Sequence, residues 1–261
     1  AQHCLMWTWQ TLGDSSLPPL VFLHGFMGTG ADWTEIAAPL SDRFHCLMPD
    51  LPGHGETPLD EEPAYAAWAS ALRDRLSAQG IDHLHLVGYS MGGRLALYFA
   101  LTYPEMIEKL VLESANPGII EEIERSQRVA LDDKLAALIR QKGMKEFLGF
   151  WYSIPLFASL NRYPALKAEL IHKRAGQHPE SMARILSELS PGRQLELWSR
   201  LDEINVPTLL VAGELDEKYS GITHKMEGLI SKNKRMILPA CGHNTHLEEP
   251  VKFLTVLCEW F

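Results

Sequence analysis

No apolar run in the sequence approaches the roughly 18 residues of a membrane-spanning helix. The four cysteines, Cys4, Cys46, Cys241 and Cys258, are scattered and form no C-x-x-C pair. That spacing argues against a zinc ribbon and against a disulfide framework. Free thiols in a core-forming chain point to a reducing compartment, the cytoplasm. Positive charge is in short supply: 24 Lys and Arg stand against 33 Asp and Glu, a net charge of −9. Nucleic acid and anionic membrane surfaces both call for a basic footprint, so neither is an expected partner. An anionic small molecule stays open, because a few convergent arginines can dominate locally. Internal repeats and low-complexity segments are missing. The first residues carry no basic stretch, so no signal peptide is expected. The sequence does not start with Met, which leaves room for upstream residues or a longer polypeptide.

What is present is a chain of 261 residues, 46% hydrophobic and 22% charged. That suits one large globular domain or two small ones. Short apolar runs at 20–24, 45–49, 83–88 and 110–114 read as buried strands. Helical spacing fills 65–78, closed by Gly80, and 91–102. Strands alternating with helices predict βαβ units and a mainly parallel sheet with helices on both faces. From about 117 to 200 the pattern is helical throughout, over 119–139, 145–152, 163–175 and 179–189. Strand signals return at 208–212 and 235–238, and 251–260 reads as a closing helix. The expected organisation is therefore a core of 1–116 and 201–261 interrupted by a helical cap, 117–200. Such an insertion most simply covers the carboxyl ends of the strands, where open α/β sheets place their ligands.

One motif carries chemistry. Gly88-Tyr-Ser-Met-Gly92 matches G-x-S-x-G and sits between a predicted strand and a predicted helix. The sharp turn lifts the Ser90 hydroxyl out of the sheet, and the glycines let the strand and helix backbones pass closely. A serine needs a base, and the base an orienting acid, in the chain order Ser, acid, His. His243 follows the 235–238 strand, and Asp216 follows the 208–212 strand. Glu214 competes as the acid but lies too near its strand end to reach across. His246 competes as the base but lies further into its loop, lining the pocket or the surface. The backbone N–H groups of Phe26 and Met91 are placed to form an oxyanion hole. His24, Asp50 and His54 read as scaffold of tight loops. These features predict an α/β-hydrolase fold with a Ser90–His243–Asp216 triad.

Arg94 lies four residues after Ser90, on the same helix face. An arginine there invites a carboxylate, or a salt bridge under the cap. At this point the chain resembles the 2-succinyl-6-hydroxy-2,4-cyclohexadiene-1-carboxylate synthase family of menaquinone and phylloquinone biosynthesis. The resemblance runs from about residue 20 to the end. It rests on Phe22-Leu-His-Gly-Phe26, Asp50-Leu-Pro-Gly-His-Gly55, Val87-Gly-Tyr-Ser-Met-Gly-Gly-Arg94, Asn116-Pro-Gly118, Trp151-Tyr152 with Phe157-Ala-Ser-Leu160, and Gly242-His-Asn-Thr-His246. The first two strings are shared with relatives of other activities, and the others are more selective. The sequence departs from the family at Ser114-Ala115-Asn116, which replaces a more glycine-rich stretch before Pro-Gly, and at Leu247, where a polar residue is common.

The resemblance implies a lyase that eliminates pyruvate without a metal or organic cofactor. Ser90 would act as a general base, and Tyr89, Arg94, Arg128, Trp151 and Arg174 would bind a small tricarboxylate substrate. Bland alternatives exist for some: an i,i+4 pair with Glu124 for Arg128, a helix C-terminal charge for Arg174, a core role for Trp151. The resemblance also implies the cytoplasm, or a plastid in a plant or alga, and adjacent pathway enzymes as partners. The competing activities are a serine carboxylesterase or carbon–carbon-bond hydrolase with the same triad, and a ligand receptor on the same fold.

Overall fold

The computed structural model describes residues 7–261, which leaves Cys4 outside. Seven strands form one sheet: β1 (Trp9–Leu12), β2 (Pro19–Leu23), β3 (His45–Pro49), β4 (Leu84–Tyr89), β5 (Ile107–Glu113), β6 (Thr208–Gly213) and β7 (Asn233–Leu238). Their spatial order is β1-β3-β2-β4-β5-β6-β7. Every neighbouring pair is parallel except β1 with β3. Sequence patterning misses β1, because a four-residue edge strand with two exposed positions carries almost no apolar signal.

Parallel strands covered on both faces are apolar on both faces. Along β2, Leu20 and Phe22 join one core cluster and Val21 and Leu23 the other. The first cluster packs against α1 (Thr34–Ala37) through Ile36. The second packs against α2 (Tyr65–Ser77) and α3 (Met91–Thr102) through Trp68, Leu72, Leu95 and Phe99.

Between β5 and β6 the chain is helical: α4 (Glu122–Trp151), a 3₁₀ segment over Pro155–Arg162, α5 (Pro164–Arg174) and α6 (Pro179–Glu188). The spacing predicted two helices where α4 stands, and both readings have substance. Gly143, at φ 78° and ψ 176°, interrupts the helix between them. Only glycine adopts that conformation at little cost. After β6 come α7 (Glu217–Glu227), α8 (Thr245–Glu248) and α9 (Pro250–Trp260). Phe253 and Leu257 of α9 close the first core cluster. Among the described residues no helix is long and apolar enough to cross a membrane. Cys46, Cys241 and Cys258 are free thiols.

Candidate active site

Parallel strands send their carboxyl ends to one edge, and the site assembles there from four loops. The turn after β4 places Ser90 at φ 51° and ψ −110°. A residue with a Cβ in that region stores roughly 1–3 kcal/mol of strain, so the surroundings must hold it. The Ser90 N–H donates to Glu113 O at 2.9 Å, tying the turn to β5. Close backbone contact does the rest. A Cβ on Gly92 would lie 2.3 Å from Leu23 O and 2.4 Å from His24 O. Gly92→Ala is therefore expected to force α3 away from β2 and cost about 1–3 kcal/mol, as overpacking does. Urea unfolding measures it, and an unshifted midpoint would contradict the contact.

His243 follows β7 and is buried. Its Nδ1 lies 2.7 Å from Asp216 Oδ2, and its Nε2 lies 3.1 Å from Ser90 Oγ. A carboxylate only accepts, so Nδ1 carries the proton and Nε2 is left to accept from the serine hydroxyl. The second Asp216 oxygen accepts from the Tyr219 N–H at 3.1 Å, which caps α7 and fixes the carboxylate. Glu214 is elsewhere, accepting from the Ala240 N–H at 2.9 Å. His246 is neither in the pocket nor at the surface, contrary to the sequence reading. It is buried in the protein, with Nδ1 2.8 Å from Glu113 Oε2 and its ring stacked 4.0 Å from Trp33. Its own N–H also donates to Glu113 Oε1 at 3.0 Å, so the buried carboxylate at the end of β5 draws the start of α8 inward.

The scaffold residues divide in the same way. His24 Nε2 accepts from the Leu51 N–H, and its Nδ1 lies 2.8 Å from Gly25 O. Burial holds its pKa below the usual histidine value, against the pull of Gly25, Asp32 and Asp50. Asp50 Oδ1 accepts from the Gly30 N–H at 2.8 Å. His54 is buried as well, and desolvation, with His24 adding to it, lowers its pKa strongly. The Phe26 and Met91 N–H groups open at the same edge; among the described residues neither donates to a protein acceptor.

One cleft connects these groups. Its walls include Phe26, Tyr89, Ser90, Met91 and His243 from the sheet edge, and Arg128, Trp151 and Arg174 from the inserted helices. Trp151 packs edge-on against Phe26 at 5.5 Å, so it forms wall as well as core. Arg94 borders the cleft and has no carboxylate partner among the described residues; its Nη1 donates to Leu189 O and Gln194 Oε1, each at 3.1 Å. Arg128 does not pair with Glu124. Its partner is Asp132 one turn onward, Nε to Oδ2 at 2.8 Å, and Ser190 Oγ donates to the same oxygen. Burial of Asp132 selects it over Glu124, which is exposed. Arg174 ends α5 and turns inward to grip both Asp32 oxygens. Burial pushes the Asp32 carboxyl up, but the Arg174 charge and hydrogen bonds outweigh that and hold it below the usual range.

Sequence reasoning missed Asp32, Asp132, Lys218 and Tyr219 as walls of this cleft. Lys218 was within reach of that reasoning, since it lies two residues beyond Asp216 at the same edge. Burial, and next to it the charge of Arg128, lowers its pKa. Nothing in the sequence marks Asp32 as the partner of a residue 142 positions away. Four cations thus meet two carboxylates, Asp32 and Asp132, on the cleft wall. In a chain of net charge −9 this is a local reversal of sign that favours an anionic ligand.

Residues 18–250 match the alpha/beta hydrolase fold family. A Bacillus subtilis (strain 168) protein, provisionally named 2-succinyl-6-hydroxy-2,4-cyclohexadiene-1-carboxylate synthase, is 36% identical over 95% of this chain and 92% of its own. A protein of the same name from Enterobacter sp. (strain 638) is 30% identical over 95% of this chain and 93% of its own. The structure of MenH from S. aureus superposes with a TM-score of 0.91 at 34% identity, covering 97% of this chain and 96% of that one. The chain belongs to the 2-succinyl-6-hydroxy-2,4-cyclohexadiene-1-carboxylate synthase family, built on the α/β-hydrolase fold.

Proposed function

We propose that the protein eliminates pyruvate from 2-succinyl-5-enolpyruvyl-6-hydroxy-3-cyclohexene-1-carboxylate, giving 2-succinyl-6-hydroxy-2,4-cyclohexadiene-1-carboxylate on the route to menaquinone or phylloquinone. The observation that carries this reading is a Ser–His–Asp chain opening onto a cleft where cations outnumber carboxylates. A neutral ester has no use for such walls, whereas the substrate has three carboxylates. Each charge-assisted hydrogen bond supplies about 1.5–3 kcal/mol. We assign Tyr89, Arg94, Arg128, Trp151 and Arg174 to substrate binding, and residues 117–200 to a cap over the cleft. The cytoplasm, or a plastid in a plant or alga, is the compartment we propose from the family.

The chemistry follows from the ring. The C2 proton is acidic because it lies α to the succinyl ketone and is allylic. Ser90, its own proton passing to His243 Nε2, takes it as a general base. Asp216 stabilises the imidazolium through Nδ1. Negative charge moves onto the ketone oxygen, where the Phe26 and Met91 N–H groups are placed to receive it. The electrons then shift through the 3,4 double bond and expel the enolpyruvyl oxygen from C5. The departing enolate of pyruvate takes the proton back from His243 or from solvent. No bond forms between Ser90 and carbon.

The test compares two reactions of one preparation. Supplied with the cyclohexene intermediate, the enzyme is expected to release pyruvate and the cyclohexadiene in equal amounts, with no mass increase on the protein during turnover. Short aryl esters are expected to be poor substrates. Fast ester cleavage with an adduct on Ser90, and no pyruvate, would hand the site to the carboxylesterase or carbon–carbon hydrolase reading.

A further inference from the structure

Glu248, at the end of α8, is a buried carboxylate that the elimination does not use. Its hydrogen-bond partners among the described residues are three neutral donors. Two are the backbone N–H groups on either side of the catalytic histidine: Gly242 to Oε2 at 2.9 Å and Asn244 to Oε1 at 3.4 Å. The third comes from the inserted chain, where Ser159 Oγ donates to Oε1 at 2.9 Å. Ser159 lies in the 3₁₀ segment over Pro155–Arg162, and it is buried too. Two residues earlier, the Phe157 ring meets the His243 ring edge-on, with centres 5.8 Å apart. The same segment grips the far end of the loop. Arg162 Nη1 donates to Ala240 O at 2.9 Å, and the Tyr163 hydroxyl donates to Glu249 Oε1 at 2.7 Å. Ala240 sits at φ 62°, a conformation that a residue with a Cβ keeps only when its surroundings hold it. The sheet side supplies Ser114 Oγ, 3.0 Å from the His243 carbonyl. The histidine loop is thus held between the sheet and the inserted segment.

We propose, building on the elimination described above, that Ser159 and Glu248 are positioning residues for His243, so that the inserted segment aligns the catalytic base. Neither side chain lines the cleft. Their effect therefore falls on the histidine and not on substrate binding. Asp216 fixes Nδ1, but the swing of the ring about that contact follows the backbone at 242–244. Glu248 holds that backbone at both flanks, and the Ser159 hydroxyl holds Glu248. Without the hydroxyl, the carboxylate keeps only donors of its own loop, and the loop loses its tie to the inserted chain. A shift of about 1 Å in a reacting group can cost a hundredfold in rate. The 3.1 Å contact of Nε2 with Ser90 Oγ is the distance at stake.

Ser159→Ala in the full chain is expected to lower kcat for pyruvate release about 10- to 100-fold. KM should stay within about twofold, since no group that meets the substrate is removed. Glu248→Ala should cost at least as much, and adding Ser159→Ala to it should cost little more, because the two share one contact. Glu248→Gln is the conservative variant. Its amide oxygen can accept from the Gly242 N–H while its NH2 group donates to Ser159 Oγ, so kcat should stay within about threefold of wild type. Proton NMR of the free enzyme reads the histidine without turnover. The His243 Nδ1–H beside Asp216, identified by its absence from His243→Ala, should broaden or move in Ser159→Ala. The His246 Nδ1–H beside Glu113 should stay in place, which separates a local effect from general loosening. Wild-type kcat in Ser159→Ala overturns the assignment. So does a loss of kcat with an unmoved His243 resonance, a loss confined to KM, or Glu248→Gln as slow as Glu248→Ala. A His243 resonance that depends on Ser159, in a protein that releases no pyruvate, would support the positioning and overturn only the reaction.

Discussion

Ser90→Ala is expected to lower kcat for pyruvate release about a thousandfold or more, with the substrate still bound. The Ser90 side chain lines the cleft at the turn after β4, with its oxygen 3.1 Å from His243 Nε2. In the proposed reaction the variant lacks the oxygen that takes the ring proton and passes its own to His243. His243→Ala removes the group that receives the serine proton, and Asp216→Asn removes the charge that stabilises the imidazolium. Each should be crippling alone. The double variant Ser90→Ala with His243→Ala should be hardly worse than either single one, because the residues act as one unit. Steady-state pyruvate release measures the losses, and thermal melts check that the fold survives. Ser90→Ala turning over at the wild-type rate would take the serine out of the reaction.

Asp32→Ala is expected to destabilise the protein by about 3–5 kcal/mol, the cost of leaving one partner of a buried ion pair unmatched. Both side chains are almost completely buried, at 6% and 7% exposure. The Arg174 Nε lacks a partner, and beside Asp32 its charge is met chiefly by the Tyr152 hydroxyl. Replacing both, as Asp32→Leu with Arg174→Met, should recover most of the stability while leaving the cleft one cation short. The pair also predicts a pH dependence. Its carboxyl is held below the ordinary value, so the stabilisation is fully present above pH ~4, the unfolded carboxylate value. It is lost as pH falls further, through the lowered folded value. The stability gap between wild type and Asp32→Asn should therefore shrink on acidification below pH ~4. Denaturant midpoints at several pH values measure it, and a gap that widens toward acid would show that Asp32 does not hold a stabilising charge.

Most of the sheet is legible in the residues, because buried parallel strands are apolar runs bounded by turns. The strand at 45–49 and the helix at 91–102 match the structure to the residue. β1 is not legible, being a short edge strand of which two of the four side chains are exposed. Gly143 is the joint between two predicted helices, yet its positive φ cannot be inferred from periodicity. In the cleft, residues that fixed motifs locate, Ser90, His243 and the loops carrying Phe26 and Met91, can be read from local spacing. The partners of Arg128 and Arg174 cannot. Asp132 is chosen by burial, and Asp32 by a fold that brings α5 onto the loop after β2.

The break at Gly143 sets what the inserted chain can reach. Arg128 and Trp151 are 23 residues apart in α4, and on a straight rod at 1.5 Å per residue they would stand about 34 Å from each other. Both side chains nevertheless border the same cleft. The kink at the glycine breaks the rod, so that a cation from one arm and an indole from the other line the same cleft. Distance along the chain is thereby traded for convergence in space, and the residue that makes the exchange is not itself part of the cleft wall.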